Sequence, residues 1–514
     1  MTSQIILTRL HRPPPPWGEG LCRPPVLRLP LRDWFPRRRL SVRAWVRSGV
    51  APLVLGLSVA GSGCVLGGLL GCNDLTGSPG LPAGVENPEI FNNATGALGM
   101  RNAAISQVEA ALEPYVVESG LLTDELEDVE TGASAGVQFK NGGAVQDPLD
   151  ERILPEGTSG GDNDYAGLQY IRTTALQALG ALATYDTAAA GRDSARVLRG
   201  ELYALEGYAE ILLADLFCSG VPLSTLDYQQ DFTYAPSSST TQVYLAAIAT
   251  LDTARTLAAA SDSVENLARV LMGRAYLALG NYPVAADDVA TVPAQFVYQM
   301  TIPVVNPGAS SSSLSKWNGG NVTVSDVEGI NGLPYLSSGD PRTTVVTTAA
   351  PNPSNGGPFI PITFPTKYKV ALTNGSGSAP FTLASGIEAR LIQAEAAWHG
   401  VATGAGSWLA QLNALRETAI TPALPDTTDP ETPTAQIALL FRERAFWLFL
   451  DGHRQGDLRR LLRQYPIFKS QANVYPTGPY LAPGTGVYGS DVTVPIPTTE
   501  YANPNYHGCL SRAP

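Results

Sequence analysis

Residues 268–293 read ARVLMGRAYLALGNYPVAADDVATVP, and no other stretch limits the fold so tightly. Gly273 sits where two helices must approach closely, and Tyr276 fills the groove beside it. Gly280 ends the first helix, while Ala285 and Ala286 let the second pack against it. The pattern specifies an antiparallel helix pair. A longer stripe precedes it: Leu198, Leu202, Leu205, Ala209, Leu212 and Leu216 step by threes and fours, which puts them on one helical face. That stripe stops at CSGVP, where Gly220 and Pro222 cannot continue a helix. Another runs from Tyr244 to Leu257.

The unit Ala268–Pro293 resembles a tetratricopeptide repeat. Such units bury little alone and need neighbours. The expected fold is therefore mostly α, a tetratricopeptide-like helix-pair scaffold with long irregular loops and minor β. Further helices are expected over Ala97–Val117, across Tyr165–Val292, and over Ile387–Trp398, Trp408–Thr418 and Thr434–Leu450. The last is expected to continue through DGHRQGDLRRLLRQ. Residues 120–163 are acidic and glycine-rich and read as loops. Residues 301–386 are rich in Ser, Gly, Asn and Pro, with short β-prone pieces. So long an irregular region is either functional or disordered, and its aromatic residues argue against plain disorder.

The amino-terminal part is of another kind. Ser48 to Gly71 is an uncharged run of 24 residues, preceded by arginines and followed by Cys72, Asn73 and Asp74. Its length and flanking charges suit insertion with the amino-terminal side in the cytoplasm. LLGC at Leu69–Cys72 looks like the bacterial lipobox, in which the cysteine is acylated and becomes the new amino terminus. A retained signal anchor is the competing reading. Residues 1–40 are proline-rich and lack a helical period, so translation is expected to begin near Leu40 or Val42. The expected organisation is 1–71 upstream segment and signal peptide, 72–96 tether, 97–300 helical repeats, 301–386 loop-rich ligand face, 387–464 carboxy-terminal helices and 465–514 extended tail.

Removing residues 1–71 leaves 24 Lys and Arg against 44 Asp and Glu, a net of −20. Such a surface repels nucleic acid and other polyanions and favours a neutral or cationic ligand. Cys218 and Cys509 are the remaining cysteines once Cys72 is acylated; they form either one bridge or two buried thiols.

Four motifs in order resemble the SusD/RagB family of outer-membrane nutrient-binding lipoproteins. They are the lipobox; IEARLIQAEAAWHG with LNALRE, which carry Glu395, Asn413 and Arg416; FRERAFWLFLDGHRQGDLRR, which carries Glu443, Arg444, Arg454 and Asp457; and VPIPTTEYANPN near the end. GDPR at Gly339–Arg342 and the pair Lys367–Tyr368 fit as well. Where the family has a second acidic residue before its glycine–arginine motif, this chain has Leu448 or Phe449. The charged motif residues lie beside Phe446, Trp447 and Phe449, so they read as locks between helices rather than as ligand contacts.

The resemblance implies a lipid-anchored, cell-surface protein of the outer membrane. It would capture an oligosaccharide or peptide and deliver it to a TonB-dependent transporter. Sugar rings stack on Trp and Tyr, and hydroxyls need amide or carboxylate partners. Trp317, Tyr335 and Tyr368, with Asn318 as amide partner, are the candidates in the loop-rich region. No catalysis and no cofactor are expected. His399, His453 and His507 have no metal-ligand spacing. Gly132–Gly136 matches G-x-S-x-G without the strand and helix that motif requires, and Ser313–Lys316 matches S-x-x-K by chance. The alternative reading is a tetratricopeptide-type scaffold that binds only proteins.

Overall fold

Ten α-helices form the framework of the described residues. The computed structural model describes residues 92–128, 148–157, 162–185, 192–305, 322–348, 362–368, 376–468, 470, 473–479 and 486–514. The helices are α1 (Ala94–Leu121), α2 (Asp162–Thr184), α3 (Arg192–Leu216), α4 (Thr240–Leu257), α5 (Asp262–Ala278), α6 (Tyr282–Val289), α7 (Gly386–Trp398), α8 (Trp408–Thr418), α9 (Pro433–Trp447) and α10 (Arg454–Gln464). Each from α1 to α6 packs on the next, α6 packs on α7, and α7 packs on α8. The mostly α scaffold of paired helices is thus present. Among the described residues no helix is long and apolar enough to cross a membrane.

Local chemistry sets where these helices begin. Asn93 accepts a hydrogen bond from the Gly96 N–H at 3.0 Å and caps α1. Ser239 and Gln242 form a reciprocal capping box at the start of α4. Ser385, Ser407 and Thr432 cap α7, α8 and α9, each accepting from the backbone N–H three residues on. Each satisfies a backbone donor that the first turn leaves without a partner, a contribution of about 1 kcal/mol.

The α5–α6 pair has the geometry its spacing implies. A Cβ added to Gly273 would stand 2.6 Å from Val289 Cγ1, so any side chain there would push α6 away. Gly280 has φ +73°, and the Asn281 N–H turns back to the Tyr276 carbonyl at 2.9 Å. Ala285 and Ala286 are buried.

Among the described residues, five antiparallel pairs complete the fold: β1 (Leu126–Asp128) with β7 (Val322–Val324), β2 (Val221–Pro222) with β5 (Ser237–Ser238), β3 (Thr225–Leu226) with β4 (Phe232–Thr233), β6 (Val297–Val305) with β10 (Ser376–Ser385), and β8 (Val345–Thr348) with β9 (Ile362–Pro365). Three expectations are corrected here. Residues 221–238 fold as small ladders within the stretch read as helical. The region read as loop-rich is bounded by the long ribbon of β6 and β10, which buries Met300, Ile302, Phe381 and Leu383 on the helices. Finally, α9 does not run on through DGHRQG. The chain turns at Leu450 (φ +54°) and Gly452 (φ +75°) before α10 begins. A Cβ at Gly452 would lie 2.9 Å from the Tyr115 ring, so the turn is pressed against α1.

The main core draws on Leu112, Tyr115, Leu205, Tyr208, Leu212, Leu271, Phe381 and Ile392. Burying each leucine contributes roughly 1.5–3 kcal/mol. A second cluster joins α9, α10 and the tail through Phe441, Leu461, Tyr465 and Tyr475. The tail is tied to the end of α3: Val494 bridges Phe217, Ser511 bridges Ser219, and Cys218 is disulfide-bonded to Cys509 with Cα atoms 5.9 Å apart. Of the two states open to these cysteines, the bridge is the one formed.

Candidate functional site

The charged motif residues meet in a buried network. Arg444 of α9 is bidentate on Asp457 of α10, at 2.8 and 2.9 Å. Arg460 joins the same carboxylate at 2.8 Å and reaches Glu395 of α7 at 2.5 and 3.0 Å. Arg454 is bidentate on Asp124, at 2.6 and 2.8 Å, and so ties α10 to the turn after α1. Arg274 of α5 holds Glu388 of α7 at 2.6 and 2.8 Å, and His453 Nε2 lies 3.2 Å from that carboxylate. Glu443 accepts from Arg342 at 2.6 Å and from Arg416 at 2.7 Å. Asn413 pairs both ends of its amide with the Thr427 backbone, at 3.0 and 2.9 Å.

Burial alone would raise the Glu388 and Asp457 carboxyls. The facing guanidiniums of Arg274 and Arg444 outweigh it, holding Glu388 at about 2 and Asp457 well below the usual carboxylate range. The space lined by Arg274, Arg444, His453, Asp457 and Arg460 admits the centre of a water molecule over only about 10 Å³, too little for a ligand. The network joins helices and leaves no room for a captured molecule.

Tyr335 and Tyr368 are corrected to core residues. The Tyr335 ring is fully buried, with its centroid 4.9 Å from that of Phe449 and 5.4 Å from that of Phe446. Tyr368 is equally buried and donates its hydroxyl proton to the Leu450 carbonyl at 2.6 Å. Neither ring offers a face to a sugar. Trp317, Asn318 and Cys72 lie outside the described residues, as do the two chance motifs. The weaker motif matches have clear places. Arg342 lies over the rings of Trp447 and Phe446 at 4.9 and 5.2 Å. Lys367 pairs with Asp451 at 2.8 Å and donates to the Phe449 carbonyl.

The ends of several strands lie close together. Asp128 closes β1 opposite Val322, the first residue of β7. Thr363 of β9 hydrogen-bonds Thr323 of β7 at 2.9 Å, and Thr348 of β8 faces Ile362. The chain therefore departs toward 129–147, and comes back from 306–321 and 349–361, at neighbouring positions. Beneath lie buried carboxyls. Burial pushes Glu125 up to about 8, although it accepts the Leu450 N–H at 2.8 Å. Burial likewise lifts Glu328 well above its ordinary range while it accepts the Tyr488 hydroxyl at 3.0 Å. Ile330 and Val487 stand exposed beside them, at 71% and 65%. Among the described residues, no group of three or more His, Cys, Asp or Glu side chains is placed to hold a metal ion.

Sequence reasoning identified Glu395, Glu443, Arg444, Arg454 and Asp457 as helix locks, and the geometry gives them that place. It missed Asp124 and the Arg274–Glu388 pair. Their partners are 330 and 114 residues away, and no local pattern encodes such distances.

This arrangement of helices, ribbons and tail is the SusD-like fold. The chain is similar to a SusD homologue from Bacteroides thetaiotaomicron, with a TM-score of 0.58 and 16% identity over 82% of this chain and 99% of that one. It is similar to a SusD superfamily protein from Bacteroides vulgatus, at TM-score 0.57 and 15% identity over 82% and 99%. It is also similar to a laminarin-binding SusD-like protein, at TM-score 0.53 and 16% identity over 82% and 99%. No protein-family model and no curated protein matches the sequence.

Proposed function

We propose that this protein belongs to the SusD/RagB family and captures a nutrient at the outer membrane of a bacterium. It is held there by acyl chains on Cys72, binds a neutral or cationic oligosaccharide or peptide, and delivers it to a TonB-dependent transporter. It carries out no chemistry on the ligand. The supporting observation is a fold shared with SusD-like proteins over 82% of the chain, one of those proteins being laminarin-binding. The net charge of −20 from Cys72 onward favours neutral or cationic ligands. On this reading Trp317, in the loop-rich stretch between Val305 and Val322, is the side chain expected to meet the ligand.

A binding screen of the full chain against glycans and peptides tests the reading. At least one ligand is expected to bind, and Trp317→Ala is expected to weaken it about tenfold, the worth of one well-stacked ring. If no glycan or peptide binds, ligand capture is refuted; if Trp317→Ala binds every hit unchanged, that residue is not in the site. The anchor is tested by palmitate labelling. Label is expected on the parent and absent from Cys72→Ser, which should leave the membrane fraction; an anchored, unlabelled Cys72→Ser protein would overturn the proposal.

A further inference from the structure

The face built from β3, β4 and the residues after Pro497 carries aromatic rings that neither the core nor the ion-pair network uses. Phe232 and Tyr234 are 53% and 46% exposed, yet their rings meet edge to face with centroids 4.7 Å apart. Tyr501 is 58% exposed and stands against the buried Tyr506, with centroids 5.2 Å apart. Two asparagines join these pairs. Asn505 Nδ2 donates to the Tyr234 carbonyl at 3.0 Å, and Asn503 Nδ2 to the Ala235 carbonyl at 2.8 Å. Tyr165 fixes the turn that carries Tyr501 by donating to Glu500 at 2.9 Å. The Cys218–Cys509 bridge fastens the same stretch to α3.

Exposed rings usually turn freely and lose that freedom on binding. Here the backbone on both sides is clamped, so the rings are held ready. An exposed aromatic residue suits the C–H face of a pyranose, with exposed hydroxyl and amide groups nearby to meet sugar hydroxyls. Thr233, Thr498, Thr499 and Asn505 supply those groups. They also interrupt the apolar surface, which is unlike the continuous patch a protein partner would cover. Charge narrows the ligand further. Residues 231–238 and 498–507 contain Asp231 and Glu500 but no Lys or Arg. Phosphates, sulfates and acidic sugars find no cation there.

We propose that Phe232, Tyr234 and Tyr501 form a stacking platform for a neutral oligosaccharide, made of residues other than the segment bearing Trp317. The platform rests on the reading of the protein as a glycan-capturing receptor. The full chain would be titrated by calorimetry with a panel of neutral oligosaccharides and with sulfated oligosaccharides of matched length. The triple variant Phe232→Ala/Tyr234→Ala/Tyr501→Ala and the single variant Trp317→Ala would be run alongside. The three rings are exposed, so the triple variant should keep the parent's melting temperature. It is expected to bind at least one neutral glycan about tenfold more weakly, with Tyr234→Trp retaining binding and sulfated chains no tighter than neutral ones. Neutral glycans bound by the triple variant within twofold of the parent would overturn the platform alone, and the rings would then belong to a protein contact. A parent that binds no neutral glycan would overturn the platform together with the glycan reading.

Discussion

Glu125 shows how one side chain can shape the behaviour of the whole protein with pH. Its carboxyl is buried and titrates at about 8 in the fold, against about 4.5 when exposed. The folded state therefore holds a proton that the unfolded chain gives up. Its contribution is fully present below about pH 4.5 and is lost as pH rises toward 8. Glu388 acts in the opposite sense. Held at about 2, it stabilises the fold above its ordinary range near 4.5 and ceases to do so as pH falls toward 2. Glu125→Gln keeps an acceptor for the Leu450 N–H and removes the titration. It is expected to match the parent in unfolding free energy at pH 4.5 and to exceed it at pH 8, by an amount of the order of a few kcal/mol. Calorimetric melts at the two pH values check this, and a difference that does not grow with pH would refute it. The sequence could not give this environment, because burial is decided by residues far along the chain. Tyr335 and Tyr368 make the same point. Their Ser-, Gly- and Pro-rich neighbours look like exposed loop, and packing on Phe449 and Leu450, remote in sequence, places both in the core.

Helices could be read from the sequence because their signals are local. Caps, apolar stripes and the Gly273–Ala285 spacing all lie within a few turns, and α8 has the bounds its pattern implies. The β6–β10 ribbon escaped because its register joins Val305 to Ser376 across a segment with no period. The break between α9 and α10 escaped for another reason. An apolar run at 446–450 extends a helical stripe, while the Leu450 N–H is claimed by Glu125. Arg454 opens the helix that follows and holds it to Asp124 in the turn after α1. Arg454→Ala leaves a buried carboxylate without its partner, at a loss of about 3–5 kcal/mol. Folded yield and denaturation midpoint should both drop. Arg454→Met combined with Asp124→Leu should recover much of the loss, since no lone charge then remains. A stable Arg454→Ala protein would show that the pair does not hold α10 in place.

For the molecule as a whole, the tail matters as much as the repeats. The segment after Val492 crosses the end of α3, forms bridges at Phe217 and Ser219, and is covalently joined at Cys218. Replacing both cysteines by serine is expected to lower global stability by about 2–4 kcal/mol, read from chemical denaturation; an unchanged midpoint would mean that noncovalent contacts already suffice. The fold class and the locking role of the motif residues were within reach of the sequence. The cysteine pairing was not, since a count of two permits either state. The bridge also has a consequence in time. Cys509 follows its partner by 291 residues, so no nascent fragment that lacks it can be latched. The helices and ribbons that lie between the two cysteines are all synthesised before this loop can close.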